Sequence, residues 1–253
     1  MKGKSIMILG LIGILSLGGI STTFGKTNKV PVTLKRIVEK KTVKQSVKVT
    51  SKEIKSKDEF ININIKIPVV QGMIDKSAED RFNKDIESNI ISFKEDMVKE
   101  AKLSSEELKK QGFNFNPYEA ISGYTVFYNK DNILSMTVAT YQYTGGAHGM
   151  EITTSYNIDT KTGENIALKD VFKKGVDYKK IINNEIKNEI KKTKKEGYNF
   201  VTITDNQNFF FNKGALNIKF NAYDIAAYSE GAPLFEIPLS KLKNYINPQF
   251  LVE

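Results

Sequence analysis

The sequence predicts an α+β fold made of antiparallel sheets, each packed by an amphipathic helix. Three observations carry that prediction. Phe60-Ile-Asn-Ile-Asn-Ile-Lys-Ile67 alternates apolar and polar residues without a fault, the period of a strand with one face on a core and one on water. Phe82, Ile86, Ile90, Phe93, Met97 and Ala101 recur at steps of three and four, the stripe of a helix that packs on a sheet. Strand-like and helix-like runs come in two blocks, each with its own helix, rather than in regular βαβ alternation.

Taken in order, Val43 to Thr50 alternates weakly and reads as a lysine-studded edge strand. The strand Phe60–Ile67 is expected to end at Pro68, which cannot donate to a ladder. Ser77-Ala-Glu-Asp80 has the spacing of a capping box, with Ser77 as the N-cap of the long helix. A second short helix, Ser105 to Gln111, should stop at Gly112, and Phe113 to Tyr118 reads as a loop from its Asn and Pro content. Strands follow at Tyr124–Tyr128, Ile133–Tyr143 and Glu151–Ile158, with reversals at Asn129–Asn132 and at Asp159–Gly163, where Gly163 suits a left-handed position. Asp177 caps a helix striped by Tyr178, Ile181, Ile182, Ile186 and Ile190, and lysines 191, 192, 194 and 195 complement its dipole before Gly197. Phe200–Thr204, Asn208–Phe211, Leu216–Ala222 and Leu234–Ile237 complete the strands.

At the N-terminus, Lys2 and Lys4 precede an apolar run from Ile6 to Ile20, with Thr23 and Gly25 suited to signal-peptidase cleavage. We read residues 1–25 as a signal peptide, 26–57 as a basic leader and first strand, 58–150 as an N-terminal α+β domain, and 151–253 as a C-terminal one. The protein is thus expected outside the cytoplasm, secreted or associated with the cell wall. No cysteine is present, so the core alone must hold an exported chain of this length.

The net charge of +9 is localised. Residues 26–57 carry eleven Lys/Arg against two acids, which leaves the body from Asp58 onward near neutral. A nucleic-acid partner is therefore not expected. The leader instead suits peripheral contact with anionic wall polymer or lipid headgroups.

One stretch stands out as a site. Tyr141-Gln-Tyr-Thr-Gly-Gly-Ala-His-Gly149 holds the sole histidine, His148, and three glycines, Gly145, Gly146 and Gly149, between two strand-like runs. Such glycines make a tight reversal or let another group approach bare backbone. Tyr141 and Tyr143 flank it. A second candidate surface is Phe220–Gly231, where Tyr223 and Tyr228 enclose small residues in a loop, since loop tyrosines bring large contact area at low entropic cost.

Most catalytic designs are excluded. One histidine and no cysteine cannot build the usual zinc site or a Cys–His dyad, and no Gly-x-Ser-x-Gly elbow accompanies His148. Asp159, Glu164 and Asp170 lack the spacing of an EF-hand loop. Phosphate-loop and dinucleotide fingerprints are missing, so no cofactor and no catalytic residue are expected. A wall-modifying hydrolase using His148 and a structural wall-associated protein are the rival readings.

The Tyr141–Gly149 stretch, Asn157-Ile-Asp-Thr-Lys-Thr-Gly163 with Leu168-Lys-Asp-Val-Phe172, and Phe220–Tyr228 with Phe235-Glu-Ile-Pro238 resemble the extracytoplasmic domain of the lysozyme-sensing anti-sigma-V factors. Ile67-Pro-Val-Val-Gln-Gly72 and Asn83 resemble the companion N-terminal domain, also found in a secreted peptidoglycan deacetylase. The resemblance spans about Val43 to Ile246 and implies an α+β fold. It implies binding rather than catalysis, with lysozyme, another envelope protein or peptidoglycan as partner. Only Met1 to Lys4 precede the apolar run, and no deacetylase part follows, so neither of those activities is expected. Ala227 stands where such sequences carry proline, with Glu230 close by.

Overall fold

A computed structural model describes residues 46–195 and 197–252. The expected signal peptide and most of the leader lie outside the described residues. Two sheets organise the rest: β1 (Lys48–Lys57), β2 (Ile61–Gln71), β3 (Tyr118–Lys130), β4 (Ile133–Tyr143) and β5 (Met150–Asp159) in that spatial order, and β6 (Phe209–Asn212), β7 (Ala215–Lys219) and β8 (Leu234–Pro238). The helices are α1 (Lys76–Lys110), α2 (Leu168–Val171), α3 (Tyr178–Lys192) and α4 (Leu239–Leu242). The mixed α+β class expected from the sequence is the one observed.

The alternation in β2 does what its period requires. Ile61, Ile63, Ile65 and Ile67 are buried, Asn64 and Lys66 are exposed, and the isoleucines face Ile86, Ile90 and Met97 of α1 in one cluster. Pro68 does not end the strand. Pairing with β3 stops at Ile65↔Ser122, and the N–H on the same side two residues on, that of Val70, is taken by the Asn83 side chain. The missing N–H of Pro68 therefore faces a side where β3 offers no partner.

α1 is one helix, not two, because nothing between Ala101 and Gln111 breaks it; Ser104 stays helical and its hydroxyl accepts from Tyr118 Oη at 2.8 Å. Its N-cap is Asp75, whose carboxylate accepts from Ala78 N at 3.0 Å, while Ser77 Oγ accepts from Arg81. At the far end Gly112, with φ +77°, makes the expected stop: its N–H reaches Lys109 O, and Phe113 N reaches Leu108 O. At about 1.5 Å per residue, so long a helix returns the chain along the sheet, and β3 consequently runs parallel to β2. The remaining pairs are antiparallel.

Other boundaries shift for local reasons. β1 starts at Lys48 and runs through Lys57, with Val47 held by both polar atoms of the Asn129 amide. β3 begins at the buried Tyr118, within the expected loop. α3 ends at Lys192 instead of reaching Gly197, because Lys194 takes the left-handed position at φ +52° while Lys195 N bonds Ile190 O. Residues 200–204 form no strand; Ile203 N is bonded by the Asn183 side chain in place of a ladder.

β4 and β5 pair from Ile133↔Asp159 to Gln142↔Met150, so the first sheet spans residues on both sides of the 144–149 link. The outer edge of β5 is closed by amides. Asn208 accepts from Ser155 N and donates to Thr153 O, both at 2.9 Å, and Asn221 accepts from Thr153 N at 2.9 Å. These side chains supply the bonds a sixth strand would make. They also tie the 205–221 region to the first sheet.

Near the start of α1, Glu79 is buried and its carboxylate accepts from Met73 N at 2.7 Å and from Lys76 Nζ at 3.0 Å. Burial works against its charge, but the Lys76 ammonium and the N–H groups of Met73 and Gly72 outweigh that and hold its carboxyl below the ordinary glutamate value. A lowered folded-state value means stability fully present above the ordinary value and lost as pH falls through the lowered one. Glu79→Gln should therefore lower the urea midpoint at pH 7, and its deficit relative to wild type should shrink by pH 3. Parallel curves at both pH values would show that the charge contributes nothing.

Candidate binding site

The link between β4 and β5 is shaped by two of its three glycines. Gly145 has φ +80° and its carbonyl accepts from Asn116 Nδ2 at 3.4 Å. Gly149 is buried under the Tyr141 ring, which occupies the space a Cβ would need. Gly146 differs from what the sequence suggested: it has no positive φ, and a Cβ there meets open space. Valine at 146 is therefore tolerable, and the constraint on the turn sits at 145 and 149.

His148 projects from this turn and is exposed. Its Nδ1 lies 3.1 Å from Gly149 O, a contact that assigns the proton to Nδ1, since a carbonyl can only accept. The same carbonyl accepts from Tyr228 Oη at 2.9 Å. The His148 and Tyr228 rings stack with centroids 3.9 Å apart and planes 16° from parallel. Tyr223 follows at 5.5 Å and 34° from Tyr228. The two stretches singled out in the sequence thus form one surface, with Tyr228 the ring common to both contacts.

The loop that carries these tyrosines is braced from below. Ile225 is buried and its carbonyl accepts from Asn199 N at 2.7 Å, while Asn221 N donates to Asp224 Oδ2 at 2.7 Å. Tyr228 opens a single 3-10 turn closed by Gly231 at φ +71°. Tyr223 itself is held at φ +71° and remains 54% exposed. A bulky residue in the left-handed region costs about 1–3 kcal/mol, and such strain concentrates at functional positions.

Tyr141 joins the site through Gly149; Tyr143 is half-buried opposite Glu119 at the end of the β3–β4 ladder, and no contact carries it to His148. Sequence reasoning found the rings but missed Asn116, Asn199 and Asn221, whose bonds fix both loops. For Asn116 and Asn221 the residue type was the available signal, since an asparagine amide satisfies irregular backbone; Asn199 acts through its backbone N–H and left no such signal.

The contacts at this surface are ring stacking and two hydrogen bonds to one carbonyl. Among the described residues His148 hydrogen-bonds only a carbonyl, and no carboxylate orients its ring or hydroxyl waits for its base. Of the acidic positions elsewhere, Asp159 Oδ1 accepts from Lys161 N and Asp170 Oδ2 from Ala167 N. They line a cavity of about 300 Å³ with Asp131, Asn132 and Glu164, and no group of three potential metal ligands exists among the described residues.

Tyr228 is half-buried and bonded, so its removal should affect stability as well as contact. Tyr228→Phe should cost about 0.5–1.5 kcal/mol for the lost hydrogen bond. Tyr228→Ala should cost more, because the stack goes as well. Equal thermal midpoints for Phe, Ala and wild type would show that the loop is not fastened here.

Residues 54–151 match the family described as Deacetylase PdaC, and residues 169–240 match the Protein of unknown function family DUF3298. The resemblance drawn from the sequence is matched in both parts. A DUF3298 family member from Bacteroides fragilis shares the fold with a TM-score of 0.63 and 20% identity, over 81% of this chain and 96% of that one. A DUF3298 family protein from Pseudomonas aeruginosa gives 0.60 and 18%, over 83% and 99%. No curated protein matches the chain at a significant level.

Proposed function

We propose, for a chain that joins a PdaC-type segment to a DUF3298-type segment on the fold of solved DUF3298 structures, an exported, non-catalytic binding protein of the cell envelope. The observation that carries this reading is the His148–Tyr228 stack, closed on one carbonyl and left without an acid–base partner. A histidine used as a general base needs a proton to take within reach of its free nitrogen; Gly149 O orients this ring through Nδ1, but among the described residues no hydrogen bond brings a hydroxyl to Nε2, and the ring serves as a wall of the cluster.

The site's partner is an envelope-exposed protein such as lysozyme, or a peptidoglycan strand, and the basic leader adds retention on anionic polymer. Support comes from the rings on a braced loop, the export-type N-terminus and the leader charge. The name of the first matched family raises the alternative of deacetylation, but metal-assisted hydrolysis calls for a ligand set that the described residues do not offer. The test is the full chain presented with lysozyme and with peptidoglycan, read on the same preparation for binding and for turnover.

A further inference from the structure

Lysine supplies almost every cation of this chain; of 38 Lys and Arg, only Arg36 and Arg81 are arginine. Arg81 is the one within the described residues. It lines a cavity of about 290 Å³ between the N-terminal turns of α1 and β5. Ile86 and Ile158, both buried, and the rings of Phe82 and Tyr156 give this cavity its apolar wall. Those rings meet edge to face, with centroids 5.9 Å apart and planes at 87°. Asp85 lines the same cavity. Burial pushes the Tyr156 hydroxyl above the ordinary tyrosine value, and the Asp85 carboxylate adds to that.

Arg81 and Asp85 stand at i and i+4 on one helix face, where Cβ atoms are about 5–6 Å apart. Yet they form no ion pair with each other or with any other described residue. One arm of the guanidinium is fixed, since Arg81 Nη1 donates to Ser77 Oγ at 2.7 Å. Such a planar fork grips a carboxylate through two parallel bonds, which a lysine cannot do. A simple carboxylate on Arg81 would meet the like charge of Asp85, and a simple amine on Asp85 would meet that of Arg81. A ligand that carries both charges answers both. We infer that this cavity binds a free α-amino acid with an aliphatic side chain, its carboxylate on Arg81, its ammonium on Asp85 and its side chain against Ile86, Ile158 and the two rings. The size agrees: ligand pockets run from about 300 to 1,000 Å³, and this cavity, at the small end, suits one amino acid and not a glycan strand. The site is separate from the His148–Tyr228 surface and does not depend on the function proposed for it.

The test titrates the full chain by calorimetry with three probes: leucine, isocaproate, which is leucine without its amino group, and isoamylamine, which is leucine without its carboxylate. Leucine should bind, and each analogue should bind about 5-fold more weakly, the upper range of one exposed ion pair. Arg81→Lys should weaken leucine because the charge stays while the fork goes, and Arg81→Gln should weaken it further. Asp85→Asn should weaken leucine about 5-fold and leave isocaproate equal or tighter, since the like charge is gone. Both residues are exposed, so the urea midpoints of these variants should stay near that of wild type and the losses report binding. If leucine does not bind, or if isocaproate binds as tightly as leucine and Asp85→Asn changes neither, the assignment is wrong. Leucine binding that survives both Arg81→Gln and Asp85→Asn would place the ligand elsewhere and overturn it as well.

Discussion

Gly163→Val is expected to be the most damaging single change in the described chain, lowering stability by about 2–5 kcal/mol from left-handed strain and overpacking together. Gly163 sits at φ +70° in the turn after β5, its N–H bonded to Asp159 O at 2.7 Å. A Cβ at this position would lie well inside van der Waals contact distance of Ala78 Cβ on α1. Alanine at 78 is buried and has no rotamer to move, so either the helix start or the turn must shift. With native stabilities of about 5–15 kcal/mol, that loss brings many domains to the edge of unfolding. Gly112→Ala provides the control, because Gly112 has φ +77° but open space where the Cβ would go. It should cost only the conformational part, about 1–2 kcal/mol. Equal denaturant midpoints for the two variants would show that the approach of Gly163 to α1 is not tight.

Asn83→Leu should rank next, at about 2–4 kcal/mol, because it strips two bonds from one buried residue. Asn83 Oδ1 accepts from Val70 N and Asn83 Nδ2 donates to Val70 O, both at 2.8 Å. Val70 is fully buried at a point where β2 has run beyond β3, so no strand replaces the amide. Leucine keeps the approximate size and removes both partners. Asn83→Asp keeps an acceptor for the N–H but sets a carboxylate against the carbonyl, and should also destabilise. A leucine variant with wild-type urea midpoint would mean that water satisfies Val70.

Much of this was legible in the sequence and some was not, for physical reasons that particular residues display. The period of Ile61 to Ile67 and the stripe of α1 report burial directly, so strand, helix and class could be read from them. Ser77 and Ser105 misled because their preference for caps is local, whereas Asp75 and the unbroken run to Lys110 are decided by which backbone groups lack partners. Phe200–Thr204 has the composition of a strand, but the Asn183 side chain takes the bond a neighbouring strand would have made. The site was half visible. Two stretches could be named as rings and glycines, but their meeting at Gly149 O is a contact between residues 79 positions apart, and no local pattern encodes such a pairing. The glycine assignments split for the same reason: φ at Gly145 and the Tyr141 ring over Gly149 are tertiary facts.

Under the proposed function, the His148–Tyr228 surface binds a partner without turning it over. Its most direct test compares wild type with His148→Ala on peptidoglycan and on acyl-ester substrates, with circular dichroism confirming the fold and lysozyme binding measured on the same samples. The account predicts no turnover in either protein and weaker binding in the variant, whose ring no longer stacks on Tyr228. Turnover in wild type, abolished by that one change in a folded protein, would contradict it and make His148 a general base.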